Sequence, residues 1–264
     1  MTGPTHLIVS TRIGMAWGGR VPEQERVHRW IDLAARELIP RLGRETQPLV
    51  LVLLTDTHNL PLVRDSVISG YLSLPLPHRV VVITTQRSEA DDSSVLSDMF
   101  HASDRILWIR CDVDDFFLPG VLTKAVARAS SLDCGTLIDF PRGYKRDTLN
   151  DRIERSTFLI QGPMFGIVTD GLNPLPTPGD HTQAHIGRYR VTSNSRSWVQ
   201  TVHGTNQVTV MNSASRSVRF RTLCKSLRTF QTERGLFLRL AAFMDLIPVL
   251  SFERSRIEIQ ESSS

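Results

Sequence analysis

The sequence predicts an α/β protein built on a mostly parallel sheet with helices on both faces and a mixed second half. Aliphatic runs such as 49–54 and 80–83 have the length of buried strands, and amphipathic segments of helical length separate them. Beyond Ser131 the strand-like runs follow one another without long helices between, so that half is expected to be mixed rather than parallel.

The first strand is expected at His6 to Ser10. A helix from Pro22 to Leu42 follows. Pro22 suits a first-turn position, Glu23 and Glu25 suit the positive end of the helix dipole, and Val27, Trp30, Ile31, Ala34 and Leu38 recur on one face. Pro40 and Gly43 mark its end. The alternation continues with a strand at Leu49 to Leu54, a helix at Leu60 to Leu74 and a strand at Arg79 to Thr84. A short helix near Val95 to His101, a strand at Arg105 to Arg110 and a helix opening at Pro119 complete this half. In the second half Gly135 to Phe140 and Ser156 to Ile160 read as strands. Residues 171–183, with three prolines and Gly179, read as a surface loop, and Ser217 to Phe230 and Arg234 to Leu246 read as helices.

With 264 residues, 41% hydrophobic and 22% charged, the chain can bury a substantial core, which excludes a disordered or fibrous protein. The longest apolar stretch near the C-terminus, Leu236 to Phe252, is broken by Arg239 and Asp245, so no uninterrupted membrane-spanning helix is expected. The first residues carry no basic segment followed by an apolar one, so no signal peptide is read. Cys111, Cys134 and Cys224 are too scattered for a disulfide framework or a zinc cluster, and a reducing cytoplasm is the expected compartment. Residues 181–264 carry a net charge of +7 within a chain of +4, leaving −3 on the first 180. Nearly all of the basic residues are arginine, a bias that genome composition explains as readily as phosphate binding does.

Ligands of open parallel sheets bind beyond the carboxyl ends of the strands, so polar residues that follow apolar runs direct the search for a site. Four places qualify: Ser10-Thr11-Arg12, Thr55-Asp56-Thr57-His58, Thr84-Thr85-Gln86-Arg87, and Arg110-Cys111-Asp112-Val113-Asp114-Asp115. The last sets three carboxylates in four residues after Ile106-Leu107-Trp108-Ile109. Such carboxylates repel unless a cation or ordered donors compensate them, and a partly hydrated Mg²⁺ or Mn²⁺ needs only one or two of them plus phosphate oxygens. The plainer alternative has Asp114 and Asp115 capping the following helix and Asp112 solvated in a turn.

The run from Ile106 through the D-x-D-D motif to Phe116-Phe117-Leu118-Pro119-Gly120 resembles that of GT-A glycosyltransferases. Further matches point to the bacterial rhamnosyltransferase family within that fold: Thr11-Arg12, Arg110, the segment Ile138-Asp139-Phe140-Pro141-Arg142-Gly143-Tyr144, and Trp198 to Asn206. The resemblance covers most of residues 6–207. It implies a GT-A-like, Rossmann-like fold and metal-dependent transfer of a sugar, a hexosyl group such as rhamnose, from a nucleotide-sugar donor. It further implies a nucleotide-sugar-binding half at 1–131 and an acceptor-binding and metal-completing half at 132–210 of the same domain, while 211–264 reads from its own charge and periodicity as a C-terminal basic helical segment. Asp112 would face the ribose or sugar and share the metal with Asp114, His203 would add a third metal or phosphate contact, and Thr11, Arg12 and Asp56 would hold the base and ribose.

Breaking the bond between an anomeric carbon and a nucleoside diphosphate builds negative charge on the leaving phosphate. Mn²⁺ or Mg²⁺, with Arg110 and Arg142, would answer it, and a carboxylate near the acceptor would take the attacking hydroxyl's proton if the reaction inverts. Asp139, Asp147 and Asp151 are the candidates, and Asp147 is preferred because it reads as part of a polar loop. The acceptor is open: a polysaccharide, a lipid-linked glycan, a protein or a nucleic acid. Two rivals stand beside this reading. A haloacid-dehalogenase-like phosphohydrolase also uses Asp-x-Asp after an apolar strand, but on the first strand of its core. A non-catalytic protein of nucleic-acid or membrane surfaces would use a basic amphipathic helix over 215–230, which could equally give the transferase a peripheral contact at the inner face of the membrane.

Overall fold

A computed structural model describes residues 3–15, 22–84, 96, 98–148, 152–157, 164–171, 190–193, 195–202 and 218–219. The chain divides into two compact units, one of Met1–Gly143 with Ser156–Gln200, the other of Tyr144–Arg155 with Thr201–Ser264.

The first unit holds a seven-stranded sheet. Its parallel part runs β1 (Thr5–Arg12), β2 (Leu49–Thr55), β3 (Arg79–Thr84) and β4 (Arg105–Arg110), with β1 between β2 and β4. The short strand β5 (Phe116–Phe117) follows the acidic run. Beyond β4 come β9 (Phe165–Asp170), antiparallel to both its neighbours, then β6 (Leu137–Asp139) and β10 (Arg190–Thr192). The expectation of a mostly parallel sheet with a mixed second half is met, and β9 is what makes it mixed.

Alternate residues of the central strands serve opposite faces. Leu7, Val9, Leu51, Leu53, Leu107 and Ile109 pack under α1 (Gln24–Leu33), α2 (Ile39–Leu42), α3 (Leu60–Ile68) and α4 (Val121–Ala129). Ile8, Val50, Val52, Leu54, Ile106 and Trp108 form the opposite layer, covered by Leu96, Met99 and Phe100. Both layers are apolar, as a strand buried on two sides requires.

The helix expected from Pro22 to Leu42 is interrupted by a π-helical turn, Ala34–Leu38, and runs on past Pro40. Pro40 lacks an N–H and its ring crowds the carbonyl four residues back, which a wider turn relieves. The helix expected to reach Leu74 ends at Ile68, because Gly70 at φ +82° turns the chain out of it. Asp147, expected in a polar loop, ends β7 (Arg142–Asp147), and the strand expected at Ser156 to Ile160 begins earlier, as β8 (Arg152–Thr157). Residues 158–160 and most of the loop at 171–183 lie outside the described residues. Gly166 admits β9 beside β4, since a Cβ there would stand 2.8 Å from Leu107 Cδ1.

β11 (Trp198–Val202) pairs antiparallel with β5 through Trp198 and Phe117. Trp198 is wholly buried, donates its indole N–H to the Phe140 carbonyl at 2.6 Å and lies against Gly143, where no Cβ would fit.

In the second unit β12 (Val218–Arg219) pairs antiparallel with β8, Val218 opposite Ile153 and Arg219 opposite Arg152. These two residues therefore stand in a strand where a helix was expected. The alternation of arginine with Val218 and Phe220 has the period of two that a strand uses as readily as a helix uses its own. The rest of 215–230 and the helix expected at 234–246 lie outside the described residues.

Candidate active site at the carboxyl edge of the sheet

The chain leaves β1 toward β2 and β3 on one side, then returns to lay β4 on the other side of β1. Between β1 and β4 the strand order reverses, the position beside which open α/β sheets hold their ligands. In the parallel register Ser10 stands opposite Arg110, and the Cys111 N–H extends the ladder to the Ser10 carbonyl at 2.9 Å. Arg12 and the acidic run thus leave the sheet from adjoining strands at one edge.

The acidic run forms a turn, closed by the Asp115 N–H on the Asp112 carbonyl at 3.1 Å. Its side chains have different surroundings. Asp112 is 48% exposed, Asp114 is half-buried and Asp115 is buried. Arg110 is buried at 8% exposure and reaches Asp112 Oδ1 with Nη2 at 3.4 Å, while its buried Nε and Nη1 have no hydrogen-bond partner among the described residues. Burial pushes the Cys111 thiol well above its ordinary range, and Asp115, Asp112 and Asp114 push it further, against the opposing charge of Arg41.

The donor set fits a hard, partly hydrated divalent cation: Asp112 and Asp114 are the carboxylates of the turn that are not buried, and two are enough when phosphate oxygens supply further ligands. Among the described residues no group of three or more His, Cys, Asp and Glu side chains converges as a closed metal cage.

At the end of β2, Asp56 Oδ1 accepts the Asn59 N–H at 2.9 Å, and Asn59 Nδ2 donates to the Gly14 carbonyl at 2.8 Å, tying the β1 and β2 loops together. Asp56 Oδ2 and the wholly buried hydroxyls of Thr11 and Thr55 have no hydrogen-bond partner among the described residues. Gly14 closes over them at φ +76°, its would-be Cβ 2.9 Å from Asn59 Cβ.

Of the residues expected to form the site, Thr11, Arg12, Asp56, Arg110, Asp112 and Asp114 end neighbouring strands or follow them at one sheet edge in the first unit. Arg142 is exposed at the start of β7, with its carbonyl accepting the Ser197 N–H at 2.9 Å. Asp147 is corrected in its setting: it ends β7 and is buried, because β7 continues through the Lys145-Arg146 pair whose charge reads as a loop. It belongs to the second unit. His203 and Asp151 lie outside the described residues. Arg41, whose guanidinium lies over the Phe116 ring beside the turn, is absent from that set because a lone arginine on an amphipathic helix gives no local signal.

No protein-family model matches the chain, and no curated protein matches it. Among solved structures it is similar to a protein of Desulfovibrio desulfuricans G20 provisionally described as a nucleotide-diphospho-sugar transferase, at 10% identity over 87% of this chain and 99% of that one, with a TM-score of 0.36. It is similar to HddC from Yersinia pseudotuberculosis at 9% identity over 87% and 100%, TM-score 0.36, and to the inositol-1-phosphate CTP transferase of T. maritima at 14% over 76% and 90%, TM-score 0.34. Superpositions this loose transfer no role to any residue, and the α/β architecture rests on the strand order and register described above.

Proposed function

We propose that the chain is a metal-dependent glycosyltransferase that moves a sugar, rhamnose on the reading of its motifs, from a nucleoside-diphosphate donor. The observation that carries this is the position of the Asp112–Asp115 turn, with buried Arg110 behind it, at the edge where the strand order reverses between β1 and β4.

In this reading Asp112 and Asp114 hold Mn²⁺ or Mg²⁺, with His203 as a further contact. The cation supplies charge neutralisation at the departing diphosphate. Arg110 and Arg142 add fixed positive charge toward the same phosphates, and Arg110 also orients Asp112. Thr11, Arg12 and Asp56 receive the base and ribose, the second oxygen of Asp56 accepting a ligand N–H or O–H. Asp147 takes the acceptor hydroxyl's proton. Residues 1–131 serve the nucleotide sugar, 132–210 the acceptor and metal, and the basic 211–264 segment a peripheral contact at the inner face of the membrane through 215–230. The phosphohydrolase alternative has less to stand on, since central β1 ends in Ser10-Thr11-Arg12 and offers no carboxylate nucleophile.

A thermal-shift screen of UDP-, GDP- and dTDP-sugars with and without Mn²⁺ tests the proposal. A donor held at about a hundred times its Kd adds about 2.7 kcal/mol of stability by mass action, a shift of several degrees. No shift with any donor, alongside turnover of simple phosphomonoesters, would overturn it.

A further inference from the structure

Two buried arginines bracket the acidic turn. Arg110 belongs to the strand layer and shares its sheet face with Trp108, whereas Arg41 comes from α2, in the helix layer on the other face. Arg41 is 7% exposed, pairs with Glu37 at 2.5 Å, and lays its guanidinium over the Phe116 ring at 3.8 Å from the centroid. Phe116 directly follows Asp115. The guanidinium therefore lies on the residue that follows the acidic run, next to buried Asp115. The π-helical turn rephases α2 just before Arg41, a local irregularity of the kind often found near functional sites.

We propose that Arg41 is a positioning residue for the acidic turn: its guanidinium clamps Phe116 and, fixed by Glu37, offsets the carboxylates so that Asp112 and Asp114 are presented together. This rests on the reading of the turn as the cation and diphosphate site. A planar cation stacked on an aromatic face is worth more when desolvated, as here, and Glu37 fixes the guanidinium's orientation.

The test compares Arg41→Met, which keeps the bulk and removes the charge, with Arg41→Lys and with Val63→Ala, a buried change on α3 away from the turn. Amide hydrogen exchange without ligand reads the clamp itself. In Arg41→Met the amides of 112–117 should exchange at least about tenfold faster while β1 and β2 keep their protection, and Arg41→Lys should recover part of the difference. Binding of UDP, GDP and dTDP with Mn²⁺ reads the consequence. Affinity should fall about tenfold in Arg41→Met and stay unchanged in Val63→Ala, although both lose thermal stability. Unchanged exchange at 112–117, or a uniform rise across all strands, would overturn the proposal, as would wild-type affinity in Arg41→Met. If the wild-type chain takes up none of the three nucleotides, the functional reading fails, and the exchange result still decides whether Arg41 sets the turn.

Discussion

Arg110 and Asp139 stand opposite the same residue, Phe165, in two adjoining antiparallel ladders. Directly opposed residues share a face of the sheet, so a buried arginine and a wholly buried aspartate flank one phenylalanine, with their Cα atoms about 10 Å apart at the usual strand spacing. The row continues through Ser10, whose hydroxyl accepts the Trp108 indole N–H at 2.6 Å. The basic and acidic members of this row are built into strands, which fixes their separation more firmly than loops would. Arg110→Met should weaken nucleotide-sugar binding by about tenfold, with Arg110→Lys intermediate, since the variant removes the fixed positive charge that faces Asp112 and, in the proposed reading, the donor's phosphates. Titration of donor in the presence of Mn²⁺, with denaturant unfolding in parallel, checks it.

Asp114→Ala should leave the protein folded and remove the Mn²⁺-dependent part of donor binding, because Asp114 is half-buried in a turn beyond β4 rather than in the core. The thermal shift given by donor plus Mn²⁺ should collapse to that of donor alone. Retention of the full shift would count against the metal site.

Gly143→Ala should destabilise by about 1–3 kcal/mol, since the added methyl would fall within the buried Trp198 ring and the backbone or the indole must shift to admit it. Urea unfolding of the variant against wild type measures this, and Trp198 fluorescence reports whether the indole keeps its bond to Phe140.

Cys111 gives stability a pH dependence of definite sign. Its thiol holds its proton in the folded chain well above the ordinary value of 9.0, through burial first and then the carboxylates of the turn. The contribution is therefore complete below that value and is lost as pH rises above it, when only the unfolded chain releases the proton. Between about pH 8 and about pH 10 the urea midpoint should fall more steeply in wild type than in Cys111→Ala, by up to about 1.4 kcal/mol per pH unit in ΔG. Equal slopes would refute it.

Asp147→Asn should lower the rate of nucleoside-diphosphate release by about a hundredfold if this carboxylate takes the acceptor's proton, while donor affinity stays near wild type. An equal loss of affinity and rate, or loss of folding, would instead mark Asp147 as a structural residue at the buried end of β7.

Local periodicity made the first half of the chain legible. Strands buried on both faces must be continuous aliphatic runs, so 49–54 and 105–110 announced themselves, and an acidic cluster directly after such a run could only sit at a strand end. The second half was less so. β7, with its glycine and three basic residues, reads as a loop because cross-strand neighbours rather than its own composition hold it in place, and β9 carries too short a pattern around Gly166 to separate strand from loop. The sequence by itself determined the element types of the parallel half and the acidic turn's chemistry. Only the tertiary structure decided that β4 returns beside β1, that Arg110 and Asp139 share a row, and that Arg41 reaches Phe116, because pairings between distant segments depend on which surfaces can be buried together, and no local stretch of sequence carries that information.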